Sequence, residues 1–242
     1  MPPPQKVTMS TTDRRERLVD AAIDLIATRG IRALTHRALD TELALPPGSA
    51  SYYFRTKKAL VEAIADRITT RSREDFLASE LKETIVPAEL TPSARSSPGI
   101  VGPGDLDTAR VDGGSATRTS TETGLVDPDS VAHAIARWLD RLLAERRNHL
   151  IARHALIVAS IGEAQARDRL ARSLFSVDRG RDLFRALGSV DPDRAAADFV
   201  AVVEGAVFDR FAGVRAGVRA GSDESVAQLS ALLSTFLRGA QR

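Results

Sequence analysis

Leu18, Ala21, Ala22, Leu25 and Ile26 recur three and four residues apart, which places one apolar stripe on a helix running from Asp13 to Gly30. Arg14, Arg15, Arg17, Asp20 and Asp24 fall mostly elsewhere on its wheel. Asp13 with Glu16 three residues on makes a capping pair, and Gly30 ends the helix. Thr35 then caps a second, shorter helix carrying Ala38, Leu39 and Leu43 inward. Pro46-Pro47-Gly48 forces a break. Ser49 to Phe54 is long enough for a third short helix, and Thr56 caps a fourth that runs through Leu60, Ile64 and Ile68 to about Leu81.

Between Val86 and Pro128 this periodicity stops. About half of that stretch is Gly, Pro, Ser or Thr and no aromatic residue falls in it, so it predicts a disordered insertion between helices, with a linker between independent domains as the rival. Helical spacing resumes with Val131, Ile135, Trp138, Leu139, Leu142 and Leu143, capped by Asp129 or Ser130. Leu150 to Ile161 is apolar almost all round apart from Arg153 and His154, and predicts a buried helix. Residues 163–187 carry Leu170, Leu174, Phe175, Leu183 and Leu187 at helical spacing up to Gly188. Asp191-Pro192 opens a helix that is apolar on several sides, and the last segment bears a stripe of Val226, Leu229, Leu232, Leu233, Phe236 and Leu237. Two such helices at the C-terminal end predict an intersubunit bundle, with Phe199, Val203, Phe208, Leu229, Leu232, Leu233 and Phe236 at a homodimer interface. An ordinary monomer core is the alternative.

Composition narrows the classes. The 242 residues include no cysteine, which removes disulfide scaffolds and thiolate metal sites and suits a reducing, cytoplasmic setting. No apolar run is long enough to cross a bilayer, and no signal-peptide segment follows the proline-rich start, so no membrane role is expected. The net charge of +2 is uninformative, but residues 1–60 hold ten basic and six acidic side chains, a net +4. A basic first quarter suits a module that meets a polyanion, and a solvated face explains it nearly as well. No phosphate-binding loop is present, and His133, His149 and His154 lack metal-ligand spacing. No enzyme, metal or cofactor is therefore expected.

The order helix, short helix, break, short helix, long helix is that of a helix-turn-helix module. Arg17-Leu18-Val19-Asp20-Ala21-Ala22-Ile23-Asp24-Leu25, Gly30, Leu34-Thr35-His36-Arg37, Gly48 and Tyr52-Tyr53-Phe54-Arg55-Thr56-Lys57-Lys58-Ala59-Leu60 closely resemble the N-terminal region of TetR-type transcriptional regulators. The resemblance covers about residues 14–62. It implies an all-α fold with a three-helix DNA-binding domain at 13–58 and a helical effector-binding and dimerisation domain at 59–242, interrupted by the disordered insertion expected at 86–128; the proline-rich, then polar residues 1–12 are expected to be a disordered tail. It also implies a homodimer that reads a palindromic operator, most often as a repressor released by a small-molecule effector.

The residues themselves suit DNA. Small side chains across Pro47-Gly48-Ser49-Ala50-Ser51-Tyr52 let the backbone approach a major groove, where Ser49, Ser51 and Tyr52 offer hydroxyls to bases or phosphates. Thr35 at a helix start offers a hydroxyl and free N–H groups to a phosphate, with His36 and Arg37 one step inside, and Arg37 is the residue best able to take guanine bidentately. By resemblance, Tyr53 and Lys57 clamp the DNA backbone. Tyr53 and Phe54 as a staple, and Lys57 as a solvated lysine, are the plainer alternatives. Asp40, Ala44, Pro46-Pro47 and Ser51 depart from the family pattern, and an acid at position 40 is expected to pair with Arg37 or Arg29. Trp138, His154, Phe175 and Phe199 are the expected effector pocket, although core packing explains all four. Two other readings stand beside the regulator: a helical small-molecule-binding protein or enzyme without operator binding, and a regulator controlled by a protein partner through the 86–128 stretch.

Overall fold

The computed structural model describes residues 11–79 and 127–241. The N-terminal tail up to residue 10 and the predicted insertion from 86 to 126 lie outside the described residues. Among those described there are ten α-helices and no strand: α1 Thr11–Arg29, α2 His36–Glu42, α3 Ser49–Tyr53, α4 Lys57–Leu77, α5 Pro128–Glu145, α6 Arg147–Ala159, α7 Ala164–Ala171, α8 Val177–Ala186, α9 Pro192–Ala212 and α10 Asp223–Gly239.

Local chemistry sets most of these boundaries. The Thr35, Thr56, Ser176, Asp191 and Ser222 side chains each accept the N–H three residues on, satisfying a donor that the first helical turn leaves open. Four expected boundaries move. α1 starts at Thr11, so Thr11 and Thr12 belong to a helix and not to the tail. α4 ends at Leu77. α5 is capped by Asp127, which accepts from Ser130 at 2.9 Å ahead of a first-turn Pro128, and neither Asp129 nor Ser130 is the cap. Residues 163–187 form two helices because the chain turns between Arg172 and Ser176.

Two cores result. A head core joins Leu18, Ile23 and Ile26 of α1, Leu39 of α2, Ala50 of α3 with the adjoining Phe54, and Leu60, Ile64 and Ile68 of α4. A body core joins α5, α8, α9 and α10 around Trp138, Phe175, Phe184, Phe199 and Leu233. α8 and α9 pack closely at Gly180, where a Cβ would stand 3.0 Å from that of Ala196. Two helices serve both cores. α4 puts its N-terminal half in the head and Phe76 in the body; α6 gives Leu150 to the body and Ala152 and Leu156 to the head. The buried helix expected at 150–161 is thus apolar on two sides for two different neighbours, while its far end emerges, with Val158 and Ile161 exposed.

Polar pairs pin the junction. Arg67 of α4 donates to both oxygens of Asp20 at 2.8 Å and to Glu16 at 3.2 Å on α1, Asn148 of α6 donates to Asp24, and Arg146 pairs with Asp75 at 3.2 Å. His149 lies among them, half-buried, with a buried Nε2 that has no hydrogen-bond partner among the described residues. Burial first, then the charge of Arg146, holds its pKa below the ordinary 6.5, against the opposing pull of Asp20 and Asp24. Above pH 6.5 both folded and unfolded imidazole are neutral and stability is unaffected. Below it the unfolded ring takes a proton that the folded ring resists, so stability falls as pH falls. Urea unfolding at about pH 7 and about pH 5.5 is expected to show this loss, and His149→Gln to remove a share of it.

Candidate nucleic-acid interface

α3 has five residues, too few to hold itself helical through its own hydrogen bonds. A neighbouring carboxylate supports it. Asp40, near the end of α2 and 5% exposed, accepts from Gly48 N through Oδ2 and from Ala50 N through Oδ1, both at 2.7 Å. These N–H groups belong to the cap and first turn of α3, where the helix leaves donors unpaired and favours negative charge. The expected pairing of Asp40 with Arg37 or Arg29 is therefore corrected: Arg29 pairs with Glu42 at 3.1 Å, and Asp40 is spent on backbone. Gly48 reaches φ 92°, a left-handed conformation that glycine adopts without strain. Ala44 stands at φ 50° in the same turn, where an L side chain is strained.

Asp40 thus fixes which side chains face outward. Pro47, Ser51, Tyr52, Arg37, Thr35 and Lys57 are exposed on the head, and Tyr52 is 78% exposed. Ser49 and Tyr53 are half-buried beside them. Tyr53 packs against the head core and meets Tyr52 edge-on at 5.2 Å, while Phe54 is fully buried as a staple. The two serines are less free than the sequence suggested. Ser49 Oγ donates to Pro46 O at 2.6 Å and Ser51 Oγ to Gly48 O at 2.8 Å, so each keeps lone pairs for an amino donor on a base edge but no proton for a phosphate. Thr35 Oγ1 accepts from Ala38 N at 3.1 Å and retains its own proton. His36 turns its Nε2 inward, where the atom is buried without a hydrogen-bond partner among the described residues. Arg37 and Lys57 form no ion pair among the described residues.

The other two predicted groups fare differently. Trp138 meets Phe76 at 6.1 Å and Phe175 at 6.4 Å, and Phe175 meets Phe199 at 5.4 Å, all inside the body core. His154 is not with them. Its ring meets Phe208 and Phe211, its Nδ1 faces Leu150 O at 2.9 Å and its Nε2 faces Glu204 at 3.2 Å. Phe199 and Phe208 are about 13 Å apart along α9, so the four residues do not form one pocket. Glu204, which the sequence did not single out, also takes two hydrogen bonds from the fully buried Arg153, at 2.8 and 2.6 Å. Burial alone would raise its pKa, but hydrogen bonds from His154 and Arg153 and the charge of Arg153 outweigh that and leave the carboxyl below its ordinary range.

At the expected dimer interface, Phe199, Val203, Leu229 and Leu233 are turned into the chain's own core and have no surface to offer. A stripe read from sequence alone merges buried and accessible positions. Phe208 at 49%, Leu232 at 42% and the half-buried Phe236 remain accessible. Phe236 and Leu232 border a groove of about 700 Å³ with Val202, Ala195 and Arg194. None of the four expected effector residues lines it.

Comparison with known proteins agrees with this layout. Residues 18–64 match the family model of bacterial regulatory proteins, tetR family, and residues 126–239 match that of the tetracyclin repressor-like C-terminal domain, about two thirds of the chain together. Among solved structures, a transcriptional regulator from Rhodococcus sp. Rha1 is similar at a TM-score of 0.59 and 17% identity, covering 94% of this chain and 98% of that one. A member of the TetR family from Streptomyces coelicolor A3 gives 0.55 and 20%, covering 91% and 98%. The multidrug binding protein EbrR complexed with malachite green gives 0.54 and 18%, covering 91% and 98%. At these identities the likeness is one of fold. No curated protein matches the chain by sequence.

Asp40→Ala strands two N–H groups and is expected to cost the head about 2–4 kcal/mol, whereas Ala44→Gly relieves strain and is expected to add about 0.5–1 kcal/mol. Both tyrosines of the chain lie in α3 and its single tryptophan in the body core, so tyrosine and tryptophan signals during urea unfolding separate the two regions.

Proposed function

The chain belongs to the tetR family of bacterial regulatory proteins, and on that premise we propose that it is a cytoplasmic homodimeric repressor whose two heads read a palindromic operator until a small molecule releases them. The observation that carries the reading is the recognition segment held by Asp40. An exposed surface of Pro47, Ser51 and Tyr52 is flanked by Arg37 and Lys57, two cations without an ion-pair partner among the described residues. Arg37 suits a guanine edge, and Lys57, at the first position of α4, suits a phosphate.

Dimerisation uses the outer faces of α9 and α10. Leu232 and Phe236 beside the 700 Å³ groove, and Phe208 further along α9, form the accessible apolar surface that a twofold partner would cover. The effector reading draws on EbrR, a structural neighbour described as multidrug binding, and on Trp138, whose Nε1 is buried among Phe76, Phe175 and their neighbours with no acceptor among the described residues. A ligand oxygen would satisfy it. α4 and α6 then carry any displacement to the head, because each belongs to both cores. Release requires that the ligand bind the non-reading conformer more tightly than the reading one.

The test is selection of bound duplexes from a randomised pool, followed by affinity measurement. The wild type is expected to recover one short palindrome. Arg37→Ala is expected to weaken binding by about 1–3 kcal/mol and relax choice at one base pair, and Lys57→Ala to weaken all sequences alike. Leu232→Glu is expected to yield monomers in solution with greatly weakened operator binding. Recovery of no sequence preference by the wild type would contradict the reading.

A further inference from the structure

Beside the recognition helix the head carries a second concavity. A cleft of about 540 Å³ opens between the start of α1 and the α2–α3 turn. Arg14 and Arg17, three residues apart on one face of α1, form one rim, and Tyr52 and Tyr53 of α3 form the other. Its floor is apolar, with Leu45 and Pro46 of the turn. This mixture has a chemical meaning. An apolar floor fits the carbon face of a deoxyribose, guanidinium groups fit phosphate oxygens, and phenolic hydroxyls donate to them as well. The cleft shares Tyr52 with the surface that meets a major groove, so an occupant there is continuous with DNA already held by α3.

A second observation points the same way. The two serines of α3 have committed their hydroxyl protons to Pro46 O and Gly48 O. Donors for the backbone beside the recognition helix must therefore come from elsewhere. Arg14 and Arg17 are the cations that the fold brings to that edge.

We infer that this cleft seats one sugar-phosphate unit of the operator strand flanking the major groove, with Arg14 and Arg17 holding its phosphates. The first turns of α1 are then part of the DNA-binding surface, and the contact reaches beyond the base pairs that α3 reads. The inference rests on the operator-binding reading and deepens it. Its signature is electrostatic and blind to sequence, since phosphates carry no base information.

The experiment measures affinity for the selected operator across a salt series, for wild type, Arg14→Gln and Arg14→Gln with Arg17→Gln. Both arginines are exposed, and matching thermal unfolding of the variants verifies that the head is intact. The slope of log K against log salt is expected to become shallower by about 0.9 for each phosphate released, hence by about 2 for the single variant of a dimer and further for the double variant. The ranking of mutated operators is expected to stay the same. An unchanged slope in the folded double variant would overturn the inference, and so would a changed ranking, which would mean base reading. Absence of specific binding by the wild type would instead sink the operator reading itself, so the two failures are distinct.

Discussion

The recognition helix of this protein exists because one carboxylate holds it. α3 is a little over one turn long, and an isolated segment of that length spends more conformational entropy than its internal hydrogen bonds return. Asp40 offsets that deficit by accepting both Gly48 N and Ala50 N at 2.7 Å. The Pro46-Pro47-Gly48 turn limits the unfolded alternatives, and the burial of Ala50 and Phe54 fixes the other face of the helix in the head core. The exposed set of Pro47, Ser51 and Tyr52 is the face left over. A charge at position 40 therefore acts by orienting the exposed face of α3, and its negative sign is taken up by two backbone donors.

A recognition helix fixed only to its own head would be of no regulatory use. Here the head does not end where the helix-turn-helix ends. α4 and α6 each bury side chains in both cores, and Arg67, Arg146 and Asn148 tie α1, α4 and α6 together at the crossing. Packed interiors resist continuous deformation, so a change around Phe76 and Trp138 in the body must either be absorbed locally or shift α4 as a unit. Arg153 adds stiffness on the other side. It is buried in α6 and binds Leu170 O, Ala171 O and Ser173 Oγ besides Glu204 of α9, which fastens α6 to the chain around α7 and to the face of α9 nearest the accessible Phe208. Head, body and the accessible face of α9 thereby share one framework.

Much of this was legible in the sequence, and the limits have physical causes. Thr35, Thr56 and Pro46-Pro47-Gly48 announced α2, α4 and the break because caps and prolines act within a few residues of themselves. The role of Asp40 was hidden because its partners are backbone N–H groups, which leave no trace in residue type. Arg153 and Glu204 are 51 residues apart in the chain, so nothing local paired them. The division of Phe199, Val203, Leu229 and Leu233 from Phe208 and Leu232 was equally invisible. A helix that faces a core on one side and a partner on the other shows one broad apolar stripe, and only packing assigns each position to its side. The same ambiguity merged His154 with an aromatic cluster that it does not touch.

On the proposed function, two heads held at a fixed separation by the bodies read two half-sites of one operator. Hydroxyl-radical footprinting on a selected duplex is the decisive measurement. Two protected patches related by a twofold axis are expected, with their centres about 34–36 Å apart along one face of the helix, one turn of DNA. A single protected half-site, or two patches whose spacing varies freely among selected sequences, would contradict it.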